Sequence, residues 1–222
     1  MKKMTFARTA LAGAILMGMG AAASAAVVTL EGDTLWFSFD DAQLDDLFGG
    51  YSVTGDTLSF DPTVFRAKSN SGVDVVSATT PQISVAAKEG FFLTGASLHE
   101  QGDYFRIGAA GEVAVGGQFI LNNSPTSISA GPLTATTTIA AFTTTPWEID
   151  SSGSLSGAEG SIKLQNILLA GSIEDGNFSA FIEKKLIEIS VDTQAVPLPP
   201  AAWMLGSALV GLVTVGRRKL GV

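Results

Sequence analysis

The sequence has no cysteine and one histidine among its 222 residues, and only 15% of its residues are charged. Without cysteine there is no disulfide framework, no thiolate zinc site and no cysteine nucleophile. A single histidine excludes a multi-histidine metal centre and leaves little from which to assemble an acyl-transfer site. Cations are also scarce through most of the chain. All 21 acidic residues lie in 26–195, against seven basic ones, so that stretch is net −14. A polyanion would be repelled by such a segment, which argues against a nucleic-acid partner.

The remaining cations sit at the two ends, where acidic residues are missing. Lys2, Lys3 and Arg8 precede a short apolar stretch from Ala10 to Gly20. Ala23-Ser24-Ala25 then supplies the small residues a signal peptidase needs, and cleavage is expected after Ala25. Residues 1–25 therefore read as a secretory signal. Export places the remainder in an oxidising compartment, yet without disulfides its core must hold by packing.

At the other end, Val196-Pro197-Leu198-Pro199-Pro200 precedes an uncharged run over 201–216, followed by Arg217, Arg218 and Lys219. The prolines fix an extended, exposed peptide. As a helix, the apolar run would span roughly 24 Å at ~1.5 Å per residue. That is slightly short of a hydrocarbon core of ~30 Å, so Trp203 and the prolines would lie at one interface. The basic trio would stay on the cytoplasmic side.

The proline motif, the short glycine-containing apolar helix and the terminal Arg-Arg-Lys cluster together resemble the PEP-CTERM sorting signal. The closest likeness is to its VPLP variant, in which Trp203, Gly206 and Gly211 also occupy familiar places. The resemblance spans about the last 27 residues (196–222). It implies handling by exosortase, a membrane-embedded transpeptidase-like enzyme of Gram-negative bacteria that often make exopolysaccharide. It also implies a temporary inner-membrane anchor, with the domain in the periplasm, then cutting near the proline motif and delivery to the cell surface or beyond. Leu198 stands where the name-giving motif has glutamate, and there is no LPxTG pentapeptide. The Phe-Ile-Glu-Lys-Lys run at 181–185 is loosely similar to motifs in the bodies of some such proteins. That likeness implies no activity.

Between the ends, residues 26–195 read as β almost throughout. Short runs rich in β-branched and aromatic residues recur at 29–31, 35–39, 51–54, 56–61, 63–68, 73–78, 82–88, 91–98, 103–107, 112–121, 133–143, 161–173 and 178–192. Turn-forming residues separate most of them, the pattern of an antiparallel β-sandwich rather than strand–helix–strand units. Ile187, Ile189 and Val191 alternate with Glu188 and Ser190, predicting one buried and one solvated face. One segment departs from this rhythm. Leu44, Leu47 and Phe48 stand at i, i+3 and i+4, with Asp40 or Asp41 placed to cap and Gly49 to terminate. A two-turn helix over 41–48 is expected there, plugging an open end of the sandwich.

The chemistry-bearing residues carry little functional signal. Asp40, Asp41, Asp45 and Asp46 form the densest charge cluster and could hold Ca²⁺, but their spacing does not match an EF-hand loop; Asp40 and Asp41 suit a helix start, and Asp45 and Asp46 its exposed face. His99 falls in a stretch, Leu98 to Tyr104, expected to be a turn, with no nucleophile elbow in the chain. Gly108, Gly111, Gly116 and Gly117 are flanked by strand signals, so they read as turns or bulges rather than a phosphate cradle. No carboxylate pair is singled out for glycoside hydrolysis. Tyr51, Tyr104 and Trp147 would suit sugar stacking if exposed, and core packing if not.

The expectation is an all-β antiparallel sandwich with one short helix, flanked by a signal peptide and a transmembrane helix. It is a non-enzymatic exported protein without cofactor, catalytic or metal residues. Its expected partners are signal peptidase, exosortase and, transiently, the membrane. A place in the extracellular matrix or biofilm, associated with exopolysaccharide, follows. The alternative is a carbohydrate- or Ca²⁺-binding sandwich module.

Overall fold

A computed structural model describes residues 27–108, 111–138, 143–172 and 180–197, together with 204, 207 and 208. The expected signal segment with Ala23 and Ala25 lies outside the described residues. So do Leu198, Pro199, Arg217, Arg218, Lys219 and most of the apolar run. Among the described residues, no helix is long and apolar enough to cross a membrane.

The body is predominantly β. Its strands are β1 (Val27–Glu31), β2 (Leu35–Asp40), β3 (Gly50–Thr54), β4 (Thr57–Asp61), β5 (Arg66–Ser69), β6 (Gly72–Thr79) and β7 (Ile83–Ala87). They continue as β8 (Phe91–Arg106), β9 (Gly111–Leu121), β10 (Ser124–Ser129), β11 (Thr145–Gly153), β12 (Glu159–Ser172) and β13 (Ala180–Ala195). The described strands form two antiparallel sheets. One runs β1-β2-β7-β12-β9-β10, with β6 also paired to β12. The other runs β11-β8-β13-β4-β3, with β5 also paired to β13.

One apolar core fills the space between the sheets. Leu35, Phe37, Ile83, Val85, Phe119, Leu164 and Leu168 enter from the first sheet. Leu58, Phe60, Leu98, Ile149, Ile182 and Ile187 enter from the second. Each such side chain contributes about 1.5–3 kcal/mol when fully buried. The alternation of Ile187, Ile189 and Val191 emerges as read from the sequence: these three are buried, and Glu188 and Ser190 are only partly covered. Three long strands, β8, β12 and β13, run through the centres of the sheets and carry most of the pairing.

Three expectations are corrected. First, the helix over 41–48 is two separate 3-10 turns, Asp41–Gln43 and Asp46–Phe48. The Asp40 carboxylate accepts from the Ala42 N–H, and Asp45 accepts from the Leu47 N–H. These local bonds stop the first turn at an extended Leu44 and start a second, in competition with a continuous helix. Phe48 is nonetheless driven into the core, its ring 5.5 Å from that of Phe60 and 6.0 Å from that of Phe65. Gly49 follows with φ +70°, where a Cβ would lie 2.1 Å from the Asp61 carbonyl oxygen.

Second, residues 98–104 are not a turn: they are the middle of the sixteen-residue β8, and His99 lies within that strand. Gly102, which suggests a turn in isolation, is needed for close approach. A Cβ there would lie 1.9 Å from the Glu183 carbonyl oxygen and 2.7 Å from the Trp147 ring. Third, the described part of the 133–143 run forms only a bridge, Ile107 to Thr137. A strand not read from the sequence, β10, instead ends the first sheet beside β9, joined to it by Asn122 and Asn123, both with positive φ. That two-residue turn matches the twist of a hairpin.

Candidate functional site

The long central strands bring three polar side chains into the core. Inward residues on β8 run Ala96, Leu98, Glu100, Gly102 and Tyr104. On β12 they run Ile162, Leu164, Asn166, Leu168 and Ala170, and on β13 Ala180, Ile182 and Lys184. A bulge at Lys185 then shifts the inward phase of β13 to Ile187, Ile189 and Val191. In a regularly pleated strand, Lys184 and Ile187, three residues apart, would point to opposite faces; the bulge lets both face inward.

Glu100 and Asn166 are 0% exposed and Lys184 is 1% exposed. Lys184 Nζ donates to Glu100 Oε2 at 2.5 Å, and Asn166 Nδ2 donates to Glu100 Oε1 at 2.8 Å. One carboxylate thus holds an amine from its own sheet and an amide from the opposite sheet. The Lys184 ammonium lies 5.6 Å from the ring centres of both Phe65 and Trp147. Trp147 is fixed in turn by its indole N–H, which donates to the Glu183 carbonyl at 3.1 Å, and the Lys184 N–H donates to the Phe65 carbonyl. Asn166 Oδ1 is buried and has no hydrogen-bond partner among the described residues. Burial pushes the Lys184 amine below the ordinary lysine range, against the opposing pull of the Glu100 charge and hydrogen bond.

Above this centre, Gln101, Asp103, Pro146, Glu148 and Lys185 rim a surface groove of about 430 Å³ floored by Gly102 and Trp147. Lys185 is ion-paired with Asp103 and, at 3.2 Å, with Glu183. Its hydrogen bond to Asp103 raises its pKa above the ordinary value. Trp147 and Tyr104 are 5% and 3% exposed, so neither offers a free ring face for sugar stacking. The Tyr104 hydroxyl accepts from the Ala135 N–H, tying down the loop before β11. Tyr51 is half-buried and packs edge-on against Phe39.

The other sequence candidates lie apart from this centre. Asp40 accepts from the Ala42 N–H and the Gln43 amide, Asp45 from the Leu47 N–H, and Asp41 from the Tyr51 hydroxyl. Asp40 and Asp45 thus serve the two turns and Asp41 is tied to β3, and no set of three His, Asp or Glu side chains among the described residues is gathered to hold a metal. His99 lies on the outer face of β8, with Nδ1 2.8 Å from Asp150 of β11 and Glu188 of β13 opposite on its other side. It has no place in the buried centre. Val196 and Pro197 of the proline motif are exposed immediately after β13.

The sequence reading missed Glu100, Asn166 and Lys184, although each stands in phase with its buried apolar neighbours. Reading a turn at 98–104 hid the phase of Glu100. The chain matches no protein-family model, and no curated protein matches it.

Proposed function

We propose that the chain is a non-enzymatic exported protein of the exosortase pathway, whose acidic sandwich serves at the cell surface or in an exopolysaccharide-rich matrix. The observation that carries this reading is where the folded body stops. β13 ends at Ala195, and the Val196 N–H is secured to the Gly90 carbonyl at 2.8 Å. Val196 and Pro197 then stand exposed, so the proline motif begins at the edge of the body rather than inside it. A processing enzyme can reach such a peptide without unfolding a strand. The segments flanking the body then serve as an export signal removed after Ala25 and a membrane anchor over 201–216. Arg217, Arg218 and Lys219 hold the anchor's end in the cytoplasm.

The body supports a structural role. Asp40, Asp41 and Asp45 each accept from a backbone or side-chain donor, and Trp147 and Tyr104 belong to the core. These features weigh against the Ca²⁺- or carbohydrate-binding alternative. The test is replacement of both Pro197 and Pro199 by alanine in the full-length chain, expressed with its native export machinery. Both residues lie beyond β13, so the body is left intact. The expected result is full-length precursor retained in the membrane fraction while the unaltered protein is trimmed and released. Equal release of both would overturn the sorting reading.

A further inference from the structure

The geometry points to Lys184, Glu100 and Asn166 as a self-processing centre that forms an amide bond between the Lys184 and Asn166 side chains and expels ammonia. This inference is independent of the export reading. It rests on three observations. The amine and the carboxamide are held on the two oxygens of a single carboxylate, at 2.5 and 2.8 Å. All three groups are closed off from water, between the sheets and against Phe65 and Trp147. Asn166 Oδ1 has no partner among the described residues, which is unusual for an amide retained in a core only to satisfy hydrogen bonds.

The reaction balances without any co-reactant. Lys184 first passes one proton to Glu100 Oε2, leaving a neutral amine and a carboxylic acid. Burial lowers the basicity of the Lys184 amine, which eases release of this proton. The Nζ lone pair then attacks Asn166 Cγ, and the carbonyl π electrons move to Oδ1. Glu100 gives its proton to Nδ2 and takes one from Nζ. As the tetrahedral centre collapses, the Cγ–Nδ2 bond breaks and ammonia leaves. The products are a secondary amide, one ammonia and a protonated Glu100, whose O–H can donate to the orphaned Oδ1. Nothing is oxidised or reduced. Exclusion of water protects the new bond from hydrolysis. Glu100 touches both reacting groups and acts as a general acid and base.

The bond would join β12 of one sheet to β13 of the other, closing the chain between residues 166 and 184. In a chain without cysteine it would take the place of a disulfide. The experiment is mass spectrometry on the purified, folded full chain, before and after cleavage at glutamates. Cleavage after Glu174 and Glu183 separates Asn166 from Lys184 in the sequence. The expected result is an intact mass short by one ammonia, and a fragment in which the Asn166 and Lys184 peptides remain covalently joined. Glu100→Gln and Lys184→Met should restore the full mass and separate the peptides. If either variant fails to fold, the digest of the unaltered protein decides alone. Separate peptides of unmodified mass would overturn the inference. So would ammonia loss confined to the Asn166 peptide, which marks cyclisation of asparagine onto its own backbone.

Discussion

Lys184 Nζ lies 2.5 Å from Glu100 Oε2, and neither side chain exposes any surface. As separate ions the two groups are an expensive way to fill a core. Effective desolvation costs several kcal/mol per ion, and mutual attraction recovers it only with good geometry and further hydrogen bonds. The carboxylate has such bonds, but Asn166 Oδ1 does not. Acylation of Lys184 by Asn166 removes the lysine charge and leaves neutral groups throughout. The cluster is therefore better understood as the reactant state of a cross-link than as an end in itself.

Glu100→Ala should destabilise the fold by about 3–5 kcal/mol, because it strands an amine in the core and disables bond formation. Replacing the pair together, as Glu100→Leu with Lys184→Met, should recover much of that loss. Urea unfolding of the two variants is the measurement. A single variant within about 1 kcal/mol of the parent would contradict a strongly coupled centre.

A variant unable to cross-link should show a specific pH dependence. In Asn166→Ala, Lys184 stays a free amine whose pKa in the folded chain is lowered from 10.5 by burial. The unfolded chain then binds more protons between the two pKa values, so stability rises with pH through that window, up to about 10.5. Below the folded pKa the full cost of charging the buried amine is present. Adding Lys184→Met should abolish this rise, measured as the difference in unfolding free energy between the two variants. The cross-linked parent should lack the rise as well. Lys185, whose pKa is raised mainly by its hydrogen bond to Asp103, works in the opposite sense. Its contribution is present below the ordinary lysine pKa and lost above the raised one. It is common to both variants and cancels.

Gly102→Ala should be among the more damaging single-methyl additions in the chain. The new Cβ would meet backbone at 1.9 Å and the Trp147 ring at 2.7 Å, neither of which can move freely. Overpacking of this kind costs about 1–3 kcal/mol. Because Trp147 shields Lys184, the variant should also slow cross-linking, read as a larger fraction of full-mass protein. A neutral outcome in both measurements would mean that β8 and β13 can slide apart there at little cost.

Much of the architecture was legible from local pattern. The recurrent short apolar runs specify an all-β body, and the alternation at Ile187, Ile189 and Val191 marks its buried face. The capping role of Asp40 follows from side-chain chemistry that operates over two residues, whereas that of Asp45, expected on an exposed helix face, emerged only with the second turn. The continuous helix over 41–48 does not form, since the same local bonds that start one turn also start the next. β10 was not read from the sequence, although Asn122-Asn123 before it is a pair suited to positive φ in a two-residue hairpin turn. Gly102 misled because a glycine demanded by a neighbouring strand looks, in one dimension, like a glycine demanded by a turn.

The sequence alone determined the class of fold, the acidic body between basic ends and the proline motif after the last strand. These depend on composition and on spacing within a few residues. Only the tertiary structure decided that Glu100, Asn166 and Lys184 meet, since they are separated by 66 and 84 residues from Glu100. Their meeting depends on strand register across two sheets and on one bulged residue, Lys185, that lets Lys184 and Ile187 face inward on the same strand. Register is set by how distant strands pack against one another. The chemistry of the centre therefore exists only once the sandwich has closed.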